Sequence, residues 1–393
     1  MHRDLIRSEV LSVFEKVKQY REHLHQYPEL SYQEANTMAF IAKQLDAIGI
    51  PYQKEVASTG IIALISGVHH SKNESCIGLR ADIDALPILE QNEVPYKSKN
   101  EGVMHACGHD VHTSILLGVA EILWKNRNDL TTPIKLIFQP GEEKNPGGAS
   151  LMIADGCMEN PKIDKMYALH VFPDLEVGNV GFRKGLYMAS CDEIYITIKG
   201  KGGHGALPHQ TVDSILVGAE IVTSLQQIVS RQCDPKTPCV LSFGHFEALG
   251  ATNVIPDQAI LKGTFRTMNE EWREEALKRI QKQATYIAKA HGATINIEIS
   301  KGYPCLVNDE QLTEELMNKA KQFLGNEKVV ELPIRLTSED FAFYSQIAPT
   351  CFFRIGVRNE GKGIIYGVHH PKFDIDNEAL KTGMEMLILC CIK

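Results

Sequence analysis

The stretch EIYITIKG at residues 193–200 alternates apolar and polar side chains with a period of two, the pattern of a strand with one buried face. Read outward, it is the first of six elements. A helix follows at SILVGAEIVTSLQQIVS, 214–230, then strands at CVLSFGHFEAL, 239–249, and AILKGTFRT, 259–267. A second helix at EEWREEALKRIQKQATYIAKA, 270–290, and a strand at TINIEIS, 294–300, complete the set. The order βαββαβ predicts a compact split-βαβ, ferredoxin-like unit.

On either side of this unit the rhythm is different. Residues 8–27 and 32–48 carry apolar side chains at helical spacing, and IIALISG (61–67) and CIGLRADID (76–84) are apolar runs of strand length. A helix at 111–124, a strand PIKLIFQP at 133–140, a Gly-rich loop and a strand KMYALHVFP at 165–173 continue the alternation. It resumes after 301 with a helix at 315–324, the strand TCFFRIGV at 350–357 and a helix at 377–390. An α/β domain with a mixed, largely parallel, buried sheet is implied. The expected division is one discontinuous domain, 1–187 with 301–393, into which 188–300 is inserted.

Composition narrows the function classes. The 393 residues carry 41 Lys and Arg against 49 Asp and Glu, a formal net charge of −8, which gives no footprint for nucleic acid or an anionic membrane. The first ten residues, MHRDLIRSEV, are charged where a secretory signal needs an apolar run, and ILLGVAEILW (115–124) is too short to span a bilayer. Ten cysteines without regular spacing point to free thiols in a reducing compartment. A cytoplasmic protein acting on a small molecule, with no membrane or nucleic-acid partner, is expected. Asn73-Glu74-Ser75 fits a glycosylation sequon and CCIK (390–393) loosely fits a prenylation box, but the first lacks a secretory context and the second ends in an atypical lysine.

Chemistry concentrates in four places. In MHACGHDVH (104–112), Cys107 and His109 flank a glycine at the start of a helix, where the dipole favours a thiolate. This pair reads as metal ligands, as a nucleophile with its base, or as solvated residues beside the helix cap Asp110. In FQPGEE (138–143), Glu142 and Glu143 leave a strand end in diverging directions, so one carboxylate can bind a metal while the other faces water. His170 ends the apolar run KMYALHVF, and His369 lies in YGVHHPKF. All four places follow predicted strands, and such ends converge on one crevice in an open parallel sheet. Cys107, His109, Glu143, His170 and His369 would then supply S, N, O, N and N ligands, enough for two metal ions, with Glu142 left as acid and base.

Together HACGHD (105–110), FQPGEE with the following GGA (147–149), ALHV (168–171), GKGGHGALPH (200–209), TNVIPDQAILKGTFR (252–266) and HHPKF (369–373) resemble one enzyme group. It is the branch of the aminoacylase/carboxypeptidase metallo-amidohydrolases, of peptidase family M20 subfamily D type, that contains hippurate hydrolases, auxin-conjugate hydrolases and N-acetyl-diaminopimelate deacetylases. The motifs span nearly the whole chain in the group's order. The resemblance implies a zinc-peptidase-like catalytic domain, with the inserted unit as a satellite domain that forms a homodimer.

It further implies two divalent ions per chain, manganese or zinc with nickel or cobalt admitted, held by Cys107, His109, Glu143, His170 and His369. Of the adjacent histidines His369 is the implied ligand, two positions before Pro371. Glu142 becomes the general base in hydrolysis of the amide of an N-acyl amino acid by metal-activated water. His204 matches a satellite-domain histidine that polarises the substrate carbonyl in the partner's active site, and Asn253 and Arg266 match positions associated with the substrate carboxylate.

Three positions depart from the pattern. Ala81 in LRADIDALP stands where the wider superfamily has a ligand histidine, which fits the cysteine-containing branch and leaves Asp82 and Asp84 to support the ligands from behind. Gly141 and Gly205 replace a common alanine, expected only to loosen the backbone. Other readings are a metallopeptidase acting on dipeptides, a non-catalytic metal-binding protein on the same fold, and a cysteine hydrolase using Cys107 and His109.

Overall fold

The computed structural model describes residues 2–70 and 75–392; Asn73 and Glu74 of the sequon and Lys393 lie outside them. The chain forms two compact units. The first comprises Met1–Gly185, Val307–Pro333 and Asp340–Lys393, the second Leu186–Leu306 and Ile334–Glu339.

The first unit is organised by an eight-stranded mixed sheet. Its centre is four parallel strands side by side, Ile134–Gln139, Cys76–Asp82, Ile163–Glu176 and Thr350–Arg358. Cys76–Asp82 and Ile134–Gln139 are buried along their whole length, which is why they read as continuous apolar runs instead of alternating ones. Helix His109–Lys125 packs against helices Arg3–Gln26 and Glu378–Cys391. Its Ile115, Leu116, Val119, Ile122 and Leu123 are at most 1% exposed, each burial contributing about 1.5–3 kcal/mol. Cys390 and Cys391 of the terminal helix are buried.

Register fixes where the chemistry sits. Asp82 lies opposite Gln139, Arg80 opposite Ala168, and His170 opposite Arg354. The carboxyl-terminal edge of the parallel core therefore brings Asp82, the chain after Gln139 and His170 to one level, the usual position for a site in such sheets. His170 is not at a strand end, as its sequence suggests. Its strand continues to Glu176 because Thr350–Arg358 keeps pairing with it to Arg358, whereas Cys76–Asp82 has already stopped. The edge strand Tyr52–Val56 and the short strands Val180–Phe182 and Val329–Glu331 carry too few residues for a periodicity.

The second unit holds a four-stranded antiparallel sheet in the order Cys239–Glu247, Gln258–Thr267, Asp192–Lys199, Thr294–Lys301. Numbered along the chain, this is 2-3-1-4, the split-βαβ order. Ile194, Ile196 and Ile198 are fully buried in one cluster with Val217, Ile221 and Leu225 of helix Ser214–Gln227 and with Ala276, Leu277 and Ile280 of helix Glu270–Ala290. Asp213 caps the first helix by accepting from Ile215 N and Leu216 N, and Asn269 caps the second by accepting from Trp272 N. The unit also takes in Ile334–Glu339, outside the 188–300 read from the sequence. Ala189 N donates to Arg335 O and Thr337 O, both at 3.2 Å, and Arg335 N donates to Tyr187 O at 2.9 Å. Such backbone pairing leaves no mark on side-chain pattern.

Candidate metal centre

The centre starts from a turn that only a glycine accepts easily. Gly108 has φ +83°, and a Cβ there would meet Val171 Cγ2 at 2.6 Å. The left-handed turn places Cys107 and His109 on either side of the start of helix His109–Lys125. His109 Nδ1 lies 3.0 Å from Asp84 Oδ1; the carboxylate accepts, so Nδ1 carries the proton and Nε2 is turned outward. That Nε2 is buried without a hydrogen-bond partner. His170 Nδ1 donates to Val171 O at 2.8 Å, leaving its Nε2 3.4 Å from Cys107 Sγ.

The carboxylates arrive on the loop after Ile134–Gln139. Gly141 has φ +61°, and a Cβ would fall 2.3 Å from Tyr32 Cε1. The glycine thus does more than loosen the loop: the ring of Tyr32 occupies the space an alanine methyl would need. Gly141 N donates to Glu34 Oε1 at 2.9 Å, Glu143 N to Asp84 Oδ2 at 3.0 Å, and Asp340 N reaches Glu142 Oε1 at 3.5 Å. Glu143 Oε1 is 3.2 Å from His369 Nε2. His369 has φ +64°, and its backbone N donates to Ala106 O at 2.7 Å, which ties it to the Cys107 turn. Its side chain is 52% exposed, the open side of the centre. His370 stacks on Tyr366 with centroids 4.4 Å apart and belongs to none of the clusters that follow.

Among the groups of donor atoms that lie within 4.8 Å of one another are Cys107, His109 and His170; Cys107, Glu143 and His369; and His109, Glu142 and Glu143. Cys107 is common to the first two. The electrostatics suit a cation. Burial opposes a charged His109, but Asp82, Asp84 and Glu143 outweigh it and raise the ring to about 10. Burial, then Glu143, Glu142 and Asp82, push the Cys107 thiol well above its ordinary value. Burial and Arg354 keep His170 neutral. A buried, acid-rich cluster that holds the Cys107 thiol and the His109 ring protonated until a positive charge displaces the protons, with His170 already neutral, fits divalent metal ions. Burial and three carboxylates raise the Cys107 thiol against the helix dipole, so a thiolate there depends on a bound cation. The imidazole in contact with Cys107 Sγ, at 3.4 Å, is that of His170, and a raised thiol is the reverse of an activated nucleophile, which counts against the cysteine-hydrolase reading.

Behind these residues lies a buried polar layer of which the sequence reading named only Asp82 and Asp84. Arg80 donates to Asp82 Oδ2 at 2.6 Å, Asp340 Oδ1 at 2.7 Å and Gln139 Oε1 at 2.9 Å. His112 Nδ1 donates to Asp82 Oδ1 at 2.6 Å, and its Nε2 accepts from Val171 N at 3.0 Å. That second bond uses the lone pair a metal would need, so His112 is a brace. Its spacing of three from His109 on a helix, and a charge inside the apolar run LRAD, were the available signals. Asp84 supports His109 directly, whereas Asp82 is 3.7 Å from its Nε2. Asp84→Asn is expected to weaken metal affinity about 10- to 100-fold, read by competition with a chromophoric chelator; wild-type affinity would count against the bracing role.

The remaining residues singled out in the sequence lie in the second unit. His204 pairs with Val254 on a two-stranded ribbon, and Gly205 N donates to Asn253 O at 2.7 Å. His204 and Asn253 are thus neighbours, both exposed. Arg266 stands near the other end of strand Gln258–Thr267, where its Nη1 donates to Leu336 O at 3.1 Å.

Comparison with known proteins agrees in outline. Residues 78–392 match the profile of Peptidase family M20/M25/M40. The chain is similar to YhaA of Bacillus subtilis, 43% identical over 374 residues covering 95% of this chain and 93% of that one. It is similar to N-acetyl-L-cysteine deacetylase of Bacillus subtilis, 40% identical over 92% of this chain and 83% of that protein. The crystal structure of the Bacillus subtilis YXEP protein, described as a dinuclear metal-binding peptidase of family M20, superposes with TM-score 0.81 at 32% identity, over 97% of this chain and 98% of that one.

Proposed function

The chain belongs to peptidase family M20/M25/M40, a hydrolase acting on amide bonds, and from that premise we propose that it cleaves N-acyl amino acids, acetyl, benzoyl or similar, at a two-metal centre. The observation that carries the reading is the sharing of Cys107 by two donor clusters, with Glu142 in a third beside them. Cys107, His109 and His170 would hold one ion and Cys107, Glu143 and His369 the other, manganese or zinc with nickel or cobalt admitted by the mixed donors. Bound ions supply a water of lowered pKa and polarisation of the scissile carbonyl.

The chain's own groups supply the rest. Glu142, 7% exposed and in none of the Cys107 clusters, takes a proton from the attacking water and delivers it to the departing amine nitrogen. His204 donates to the developing oxyanion from the satellite domain of a partner subunit, and Asn253 and Arg266 receive the substrate carboxylate. A homodimer through the second unit is supported by its exposed apolar side chains, Leu216 at 57%, Phe246 at 44% and Leu249 at 83%. All ten cysteines are free, and no helix among the described residues is long and apolar enough to cross a membrane, which supports a cytoplasmic enzyme.

The test is amine release from a panel of N-acetyl, N-benzoyl and indole-acetyl amino acids with manganese or zinc, with and without a chelator. Turnover that the chelator abolishes is expected; silence across the panel contradicts the reading. The partner role of His204 predicts that mixed dimers of Glu142→Gln and His204→Ala subunits regain activity, since one of the two sites then has both groups intact. Inactive mixtures in which hybrids are demonstrably present would remove His204 from the partner's site.

A further inference from the structure

Helix Arg3–Gln26 turns Val10, Val13, Val17 and Leu24 into the core, yet it also buries Arg21, whose side chain is wholly covered. The guanidinium reaches two carboxylates on separate segments. Its Nε donates to Asp110 Oδ2 at 3.0 Å and its Nη2 to Asp374 Oδ1 at 2.7 Å. Asp110 directly follows His109, and Asp374 stands shortly after His369. We propose that Arg21 is a positioning residue of the metal centre, which sets the loop carrying His369 against the helix that starts at His109. This rests on the two-metal reading given above.

His369 needs such support because solvent covers half of its own side chain. It is 52% exposed and sits at φ +64°, so its direction is set by the backbone of 369–374. That loop is gripped from outside: Gln91 N donates to Pro371 O at 2.8 Å, Asn92 Nδ2 to Phe373 O at 2.9 Å, and the Tyr96 hydroxyl to Asp374 Oδ2 at 2.8 Å. The gripping segment is tied to the same helix, where His25 lies 3.2 Å from Glu90 Oε1 and 2.8 Å from Asp110 Oδ2. Arg21 and His25 share one helix face and close both routes from Asp110 to the loop.

Energetics favour positioning over bare stability. A buried ion pair often gains no more than well-packed apolar side chains of the same volume, so the core alone does not call for a guanidinium on the face of Val13, Val17 and Leu24. What an apolar side chain cannot do is fix two segments in one geometry, and the planar fork of arginine can. Burial would raise the Asp374 carboxyl, but Arg21 outweighs it and holds it below the usual carboxylate range, so this arm of the fork stays charge-assisted. The helix that supplies Arg21 lies outside residues 78–392, the part of the chain that matches the family profile.

The experiment is a cobalt titration of the metal-free protein, followed by the thiolate-to-cobalt absorption of Cys107, with His369→Ala marking the step that belongs to the His369 ion. Asp374→Ala removes one arm and leaves Arg21 paired with Asp110, so no buried charge is stranded; Arg21→Lys keeps the charge but not the fork. Each is expected to weaken the His369 ion at least about tenfold and the other ion less than about twofold, with circular dichroism following the fold. Either variant decides alone if the other does not fold. A His369 ion of wild-type affinity, or equal weakening of both ions, overturns the proposal, since equal weakening is what a loosened fold alone would give. A single cobalt step in wild type would instead remove the two-metal reading, and the proposal with it.

Discussion

Glu142→Gln is expected to lower kcat about 10²- to 10⁴-fold while metal content stays at the wild-type level. The substitution keeps the shape of the side chain and its acceptor oxygen, so the contact from Asp340 N to Oε1, 3.5 Å in the wild type, can persist. What is lost is the capacity to take a proton from water and return it to the amine. Glu142 shares a cluster with His109 and Glu143 but is absent from both Cys107 clusters, which is why the ions should remain. Steady-state kinetics with metal analysis on the same sample checks it. A fully active variant would remove Glu142 from the chemistry, and an inactive variant without metal would make it a ligand instead.

Arg80→Met is expected to destabilise the fold by about 3–5 kcal/mol, the cost of leaving a buried charge without its partner. Arg80 is 1% exposed and holds two buried carboxylates, Asp82 and Asp340, at 2.6 and 2.7 Å. Burial would raise the Asp82 carboxyl, but Arg80, then His109 and His112, hold it well below the usual carboxylate range. A depressed carboxylate stabilises the fold above its unfolded value, about 3.9, and that contribution fades as pH falls through the folded value. The variant should therefore show its deficit at neutral pH and converge on wild type in acid. Denaturant unfolding at pH 7 measures it, and a loss under about 1 kcal/mol would show that the network is not held by this guanidinium.

The fold was legible where side chains report burial. Ile194, Ile196 and Ile198 alternate because one face of their strand is covered, and Cys76–Asp82 is continuous because both faces are. The strand Tyr52–Val56 was not, since YQKEV lies on the sheet edge and is mostly exposed. The segment Ile334–Glu339 joins the second unit through backbone hydrogen bonds that any sequence could make.

At the site, the donor residues stood out by their types. Of the expected positions after strands, only that of Glu142 and Glu143, just past Ile134–Gln139, is found, since His170 lies inside its strand and Cys107 and His369 lie well beyond theirs. Arg80, His112 and Asp340 did not stand out, because a charge used inside a protein has the same letter as one on its surface. The state of Cys107 was also hidden, since the carboxylates that raise its thiol come from 82 and from 142–143, distant in sequence and adjacent only in the fold.

The central claim is a pair of ions sharing Cys107, with Glu142 beside them and bound to neither. Anomalous-difference crystallography of the zinc- or manganese-loaded protein tests it most directly. The account predicts two peaks per chain, one among Cys107, His109 and His170 and one among Cys107, Glu143 and His369. A single peak, a peak coordinated by Glu142, or metal bound away from Cys107 would contradict it.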